Sequence, residues 1–198
     1  MPISELSLPV PEPEPAPTGI GWLRATVSRF ANGEVHARRR AIVEELLAGI
    51  DPAELSKPYE GHPVAPLAAA LRVDDGVIRA VVEDVRTAAA AYQTGDPAAD
   101  AAVDRLVGVF GGAYDERTAA RIQLLVQACD ATAKLVERAR TRPVDEVLRD
   151  DPPVPATRRV ADDGTVVAVS LADNPFGAGP RACPGRAHAL ALVEGARR

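Results

Sequence analysis

The residues best suited to chemistry lie near the C-terminal end of the chain, in the segment FGAGPRACPG at positions 176–185. Gly177 and Gly179 allow backbone conformations that other residues avoid, so this segment can turn tightly and let a flat ligand approach. Cys183 precedes Pro184, which suits the first position of a helix, and the positive end of a helix dipole favours a thiolate. The segment therefore predicts a cysteine that acts as a metal ligand or as a nucleophile.

Two other interpretations of this segment were weighed against the reactive one. A lone cysteine beside a glycine-rich turn is most often a small buried residue without chemistry. Gly177, Gly179 and Ala182 also fit the dinucleotide-binding pattern G-x-G-x-x-A. That pattern needs a βαβ unit and an acidic residue about 20 positions later. Too few residues follow this segment to provide them, so we do not expect a dinucleotide site. The basic Arg181 beside Cys183 is expected to favour the thiolate further.

The whole segment resembles the haem-binding signature of cytochromes P450, F-G-x-G-x-R-x-C-x-G, with every fixed position present. The resemblance implies that Cys183 is the axial thiolate ligand of a haem b iron and that Phe176 packs beside the sulfur. It also implies that Arg181 pairs with a haem propionate. Backbone N–H groups beyond the cysteine, including that of Gly185, are expected to tune the thiolate.

A basic segment far upstream also resembles the family. His36 and Arg40 fit H-x-x-x-R in the helix that crosses the haem face in P450 proteins. One helical turn separates them, so both can point at the same propionate. A solvated, basic helix start is the alternative for this pair. The other two histidines, His62 and His188, have no such context and are expected to be ordinary surface residues.

A third segment resembles the P450 region around the K helix. Glu146 and Arg149 fit E-x-x-R, and the sequence DPP follows at 151–153. In the family this Glu and Arg form an ion pair that locks the core behind the haem. The resemblance further implies that Arg158, or its neighbour Arg159, reaches a propionate.

Residues 124–135 align without gaps on the oxygen-binding stretch of the long distal P450 helix. There an acidic residue is usually followed by a threonine whose hydroxyl helps to deliver protons. Here the acidic residue is Asp130, but Ala131 follows it, and Thr132 lies about 100° further round the helix. We therefore expect Asp130 to relay protons through water, with Thr132 as the substitute if the helix unwinds locally.

The spacing of apolar residues predicts that most of the elements that position these residues are helices. Apolar spacing, caps and breakers predict helices over 36–50, 63–71, 74–92, 97–110, 116–140, 144–149 and 184–197. Strand residues occur only at 157–160 and 165–169, on either side of a turn. Repeated prolines predict that residues 1–18 form a mostly disordered arm. The expected fold is mainly α, a truncated P450-like single domain over 19–198 with a small β-hairpin before the cysteine loop.

The composition of the 198-residue chain limits its function further. Hydrophobic residues make up 46% and aromatic residues 4%, which predicts a core of Ala, Val and Leu. The net charge of −5 argues against a nucleic-acid-binding surface or a polybasic membrane patch, and no apolar run is long enough for a membrane span. Two cysteines are too few for a disulfide framework, and no signal peptide is visible, so a cytoplasmic location is expected.

The resemblance has gaps that bear on function. Only residues 171–175 connect the hairpin to the cysteine loop, where P450 proteins have a long meander. We therefore expect exposed haem edges or apolar surface, unless a homodimer covers them. The favoured hypothesis is a haem-thiolate monooxygenase or peroxygenase that oxidises a small organic molecule, with a redox partner protein where electrons are needed. The alternatives are a haem-dependent dehydratase, isomerase or bond-forming enzyme, and a non-catalytic auxiliary protein derived from a P450.

Overall fold

The fold is mainly helical with a small two-stranded sheet, as the sequence predicts, and the computed structural model describes it for residues 5–198. The helices are α1 (Gly19–Thr26), α2 (Gly33–Ala48), α3 (Pro52–Leu55), α4 (Val64–Ala70), α5 (Ile78–Ala91), α6 (Asp100–Val109), α7 (Glu116–Arg138), α8 (Val144–Asp150) and α9 (Arg186–Arg197). An antiparallel hairpin pairs β1 (Ala156–Val160) with β2 (Val166–Ser170). Short 3-10 helices cover Glu5–Ser7, Ser28–Phe30, Pro97–Ala99 and Gly179–Arg181.

Helix α7 lies at the centre of the packing and contacts α1, α2, α4, α5, α6, α8 and α9. The Asp115 carboxylate accepts a hydrogen bond from the Thr118 N–H at 2.7 Å and caps the start of the helix, which agrees with the predicted start at residue 116. Ile122, Leu125 and Cys129 form its fully buried stripe. Neither α7 nor any other helix within residues 5–198 is both long enough and apolar enough to cross a membrane.

Aspartate caps explain where the observed helices differ from the predicted ones. The Asp74 side chain accepts a hydrogen bond from the Gly76 N–H at 2.8 Å, which closes a turn, so α5 begins later than predicted. Asp51 accepts from the Ala53 N–H at 2.9 Å and caps α3, a short helix where the sequence predicted only a stop. Side chains that bond locally thus decide boundaries that apolar spacing leaves open.

The proline-rich segment lies against the rest of the protein over residues 5–18. Leu6 and Val10 are 7% and 2% exposed. The Val10 N–H donates to Asn32 Oδ1 at 2.9 Å, and the Pro9 carbonyl accepts from the Val160 N–H at 2.8 Å. The sequence predicted a mostly disordered arm here because prolines exclude regular structure; two apolar side chains nevertheless find buried positions. Residues 1–4 of that predicted arm lie outside the described residues.

The hairpin is found where the sequence predicts it. Val160 pairs with Val166 next to the turn, and Ala156 pairs with Ser170 at the open end. Val169 of β2 packs against Leu6 of the N-terminal segment. The hairpin therefore joins the N-terminal segment to the region that leads into the cysteine loop.

An ion-pair cluster links α2 to the first turn of α7. Glu116 Oε1 lies 2.7 Å from Arg38 Nη2 and 2.8 Å from Arg39 Nε. The hydrogen bond from Arg38, with a further one from Arg39, lowers the pKa of Glu116 to about 2. A negative charge at this position also suits the positive end of the α7 dipole.

We predict that Glu116→Gln lowers the free energy of unfolding by about 1 kcal/mol at pH 7. Because the folded-state pKa lies below the ordinary value of 4.5, this contribution is present above pH 4.5 and is lost as the pH falls towards 2. Urea unfolding of both proteins from pH 7 to pH 2.5 measures the difference. Glu137→Gln, an exposed position on the same helix, is the control and should change little. A difference between wild type and Glu116→Gln that does not shrink in acid contradicts this account.

Candidate functional site

A cleft with a volume of about 290 Å³ lies among α2, α7, α9, the hairpin and the cysteine loop. Its size is near the lower limit of ordinary small-molecule pockets, roughly 300 Å³. Most of its walls are apolar, and α7 contributes Leu124, Ala128, Ala131 and Leu135. None of the described residues that line it is acidic. Such a cleft suits a ligand with an apolar body and negative charge.

The cysteine loop forms one wall of the cleft. Gly177 has φ +71° and Gly179 has φ +62°, both in the left-handed region that favours glycine. The loop closes through a 2.7 Å hydrogen bond from the Cys183 N–H to the Phe176 carbonyl. Phe176, Cys183 and Gly185 all line the cleft, and Cys183 is the exposed one of the two free cysteines.

The thiol of Cys183 has opposing influences on its pKa. The residues packed around the sulfur remove water from it and raise the pKa above the ordinary value of 9.0. A hydrogen bond from the Gly185 backbone and the charge of Arg40 lower this pKa. The sequence predicted that the helix dipole and Arg181 favour the thiolate, but the net shift of this pKa is upward and Arg181 is not among its causes. Arg181 instead donates to the Ala31 carbonyl at 2.7 Å. A further positive charge, such as a metal ion, is required to make the thiolate the stable form.

Basic side chains gather around the cleft from distant parts of the sequence. The basic lining residues are Arg29, His36, Arg40, Arg159, Arg181 and His188. Within the described part of the chain, only Arg40 among these forms an ion pair with a carboxylate, that of Glu44 at 2.7 Å. Burial lowers the pKa of Arg29, Arg159 and Arg181, and repulsion by neighbouring arginines lowers it further for Arg159 and Arg181. The cleft therefore has a surplus of positive charge.

His36 and Arg40 line the cleft together, one turn apart on α2. Arg40 Nη2 donates to the Ala182 carbonyl at 2.6 Å and so ties α2 to the cysteine loop. Burial, with the charges of Arg181 and Arg40, lowers the pKa of His36 below 6.5, so its ring is neutral at pH 7. The alternative of a fully solvated basic helix start does not describe this pair.

The strand alternation of β1 separates Arg158 from Arg159. Arg158 is exposed and does not line the cleft, whereas Arg159 is only 4% exposed and does. Successive side chains of a strand point to opposite faces, so only one of the two can face the cleft. Of the two candidates from the sequence, only Arg159 lines the cleft, and Arg158 does not.

The distal stretch of α7 brings only part of the predicted set to the cleft. Thr132 is 3% exposed and lines the cleft beside Ala131. Asp130 is exposed and is not part of the lining. It lies on the side of Cys129, whose pKa is raised to about 12 by burial together with the Asp130 charge. Asp130 therefore does not face the cleft, because one step along a helix turns the side chain by about 100°, and its relay of protons through water stays a prediction.

The predicted E-x-x-R ion pair is not formed. Arg149 Nε instead lies 3.0 Å from Asp150, at the exposed end of α8. Leu148 is the residue of α8 that lines the cleft. The helix thus contributes apolar contact to the cleft, and the interpretation of Glu146 and Arg149 as a core-locking pair was wrong.

Several polar residues of the lining were missed by sequence reasoning. The Gln123 amide donates to Ser28 Oγ at 2.9 Å and to Gln127 Oε1 at 2.7 Å, which forms a polar chain along α7. Two glutamines four residues apart on an otherwise apolar face were the available signal.

His188, predicted to be a surface residue, lines the cleft, and its Nε2 lies 3.0 Å from the Ile50 carbonyl. His62 is half-buried, with its Nε2 3.8 Å from Cys129 Sγ.

Over the residues that the structure describes, no group of three or more His, Cys, Asp or Glu side chains is arranged to hold a metal ion. A haem iron needs only one such side chain, so the haem interpretation does not depend on a cluster. The chain matches no protein-family model and no curated protein. Its function is therefore inferred from its own residues and their geometry.

We predict that Gly177→Ala destabilises the protein more than Gly179→Ala does. Both positions have positive φ, which costs an alanine about 1 kcal/mol. A Cβ at 177 also meets the Arg181 carbonyl oxygen at 3.3 Å, whereas a Cβ at 179 has nothing within 4 Å. Urea unfolding of the two variants measures this difference. Equal losses, or a larger loss at 179, contradict the observed packing of the loop.

Proposed function

We propose that this chain binds haem b in the cleft, with Cys183 as the axial ligand, and acts as a P450-like haem-thiolate oxidoreductase on a small organic molecule. One observation carries the proposal. The cleft combines apolar walls, a surplus of basic side chains, no acidic lining residue among those described, and an exposed cysteine on a tight glycine loop. The complete P450-like cysteine signature at 176–185 indicates that the ligand of this cleft is a haem.

The side chains of the lining match the chemistry of an apolar ring that carries two carboxylates, and a haem would require the cleft of about 290 Å³ to widen. Arg159 and Arg181 are buried or half-buried without a carboxylate partner, and guanidinium groups in such places bind carboxylates strongly. His36 and Arg40 provide a second pair of donors from α2. The two propionates of haem would thus find donors on α2, β1 and the cysteine loop. Phe176 would contact the ring on the cysteine side.

The cysteine ligand is supported from behind by the backbone. The Gly185 N–H hydrogen-bonds to the Cys183 sulfur and lowers its pKa, the type of donor that tunes a metal-bound thiolate. A thiolate-bound haem supplies oxidising chemistry, because the sulfur donates electron density that favours O–O cleavage. The protein itself contributes the orientation of the sulfur and the exclusion of water by the apolar face of α7.

Proton delivery is the weak part of this site. Ala131 lines the cleft but has no hydroxyl, and Asp130 lies outside it. Thr132, the next residue along the helix, lines the cleft and carries a hydroxyl. Gln127 also lines the cleft and ends the hydrogen-bonded chain that runs from Ser28 through Gln123. An amide holds a hydrogen bond but does not give up a proton readily. Oxygen-driven turnover is therefore expected to be poorly coupled, with peroxide as the better oxidant.

The same feature favours a second candidate function. A dehydration, isomerisation or bond-forming reaction at the haem needs no oxygen activation, and for it the absence of a hydroxyl at Ala131 is no disadvantage. Haem binding without redox turnover would favour this candidate. The redox partner, the homodimer and the cytoplasmic location remain predictions from the sequence.

The first test is the spectrum of the reduced, haem-loaded protein under carbon monoxide. We predict the red-shifted Soret band that is diagnostic of thiolate ligation. Cys183→Ser should abolish this band, because a serine hydroxyl does not replace a thiolate ligand. Cys129→Ala is the matched control, since Cys129 is buried on α7 and does not line the cleft. A normal, unshifted band in the wild type, or a red-shifted band in Cys183→Ser, contradicts the proposed ligand.

The second test concerns proton delivery. We predict that Ala131→Thr lowers the hydrogen peroxide released per electron pair by at least about twofold, because it places a hydroxyl directly after Asp130, where the P450 family usually has its proton-delivering threonine. A ferredoxin and its reductase supply the electrons to the haem-loaded protein. Ala128→Thr, one turn earlier on the same face, is the control for an added hydroxyl. Equal peroxide release in the wild type and in Ala131→Thr contradicts this role of position 131.

A further inference from the structure

Arg29 is a basic residue of the cleft that the proposed haem site does not use. Two propionates are served by His36 and Arg40 on α2 together with Arg159 and Arg181. Arg29 comes from the 3-10 helix Ser28–Phe30 after α1, outside the segments that resemble P450 signatures. Arg29 therefore adds a positive charge to those assigned to the two propionates.

The hydrogen bonds of Arg29 point to an anion site. Arg29 Nη2 lies 3.1 Å and Arg159 Nη1 lies 2.9 Å from Thr157 Oγ1, and both donate to it. A hydroxyl oxygen has two lone pairs, so these two donors occupy both. The Thr157 hydrogen is then available to donate to a third group. The guanidinium groups and this hydroxyl together present only donors to the cleft.

No negative charge near Arg29 balances it among the described residues of the lining. Its guanidinium carbon lies 5.5 Å from the centre of the Phe30 ring, which gives it an apolar neighbour. Burial lowers the pKa of Arg29. Tyr92 lies close by, but burial raises the pKa of its phenol, which is therefore neutral at pH 7. A half-buried charge in this setting is stabilised by a ligand of opposite charge.

We propose that Arg29 and Thr157 form a carboxylate subsite, and that the substrate of this protein is a small organic acid with an apolar body. The carboxylate would take the free donors of Arg29 and the Thr157 hydroxyl, while the apolar body would contact the α7 wall of the cleft. This inference rests on the proposed function, because it assigns the two propionates to the other basic residues.

The test compares octanoate with 1-octanol, which share a chain and differ in charge. Each is titrated into the haem-loaded protein, followed by the Soret shift, and into the protein as purified, followed by calorimetry. Arg29→Gln removes the charge, and Arg29→Lys keeps it. Arg24→Gln is the matched control, because Arg24 stacks on the same Phe30 ring at 5.2 Å but does not line the cleft.

We expect the wild type and Arg24→Gln to bind octanoate about tenfold more tightly than octanol, as a charge-assisted hydrogen bond provides. Arg29→Gln should lose this preference and Arg29→Lys should keep part of it, while both retain bound haem. Equal affinity for the two probes in the wild type, or an unchanged preference in Arg29→Gln, overturns the subsite. Loss of haem from Arg29→Gln also overturns it, because Arg29 would then serve a propionate.

Failure of the proposed function is separately visible. If the wild type takes up no haem, the haem proposal fails. Calorimetry of the protein as purified then decides the subsite alone. A preference for octanoate that depends on Arg29 supports it, and a preference that does not depend on Arg29 overturns it.

Discussion

Four arginine side chains lie around one cleft, and within the described residues only Arg40 among them has a carboxylate partner. Burying a guanidinium group without a counter-charge costs several kcal/mol, even after the surroundings relax. Arg159 is buried, Arg181 is half-buried, and their hydrogen-bond acceptors are neutral, including the Leu6 and Ala31 carbonyls. Neutral acceptors fix the positions of these side chains without balancing their charge, and the Glu12 carboxylate offsets part of the charge of Arg181. An anionic ligand is the partner that such an arrangement favours.

The same arginines hold the site together across the chain. Arg40 of α2 bonds to the carbonyl of Ala182, one residue before the cysteine. Arg181 bonds to the segment before α2, and Arg159 bonds to the Leu6 carbonyl in the N-terminal segment. Loss of one guanidinium group would therefore loosen the cysteine loop as well as remove a charge. Ligand binding and the order of this loop are coupled through the same side chains.

The sequence predicted the elements well because their signals are local. The Asp115 cap, the apolar stripe of α7 and the hairpin turn each lie within a few residues of what they specify.

The orientation of single side chains was predicted less well. Asp130 was placed at the cleft and Arg158 was preferred to Arg159, because helix phase and strand alternation become definite only when the neighbouring elements are known. Arg29 and Gln123 were missed for a related reason: their partners Thr157 and Ser28 are distant in sequence.

The most direct test of the central claim compares iron protoporphyrin IX with its dimethyl ester, in which both propionates are neutral. Equilibrium titration of each into the purified protein gives the stoichiometry and the dissociation constant. We predict that one porphyrin binds per chain and that the ester binds at least about tenfold more weakly, since charge-assisted hydrogen bonds to the arginines are lost. Equal affinity for the two porphyrins, or no saturable binding of either, would contradict it.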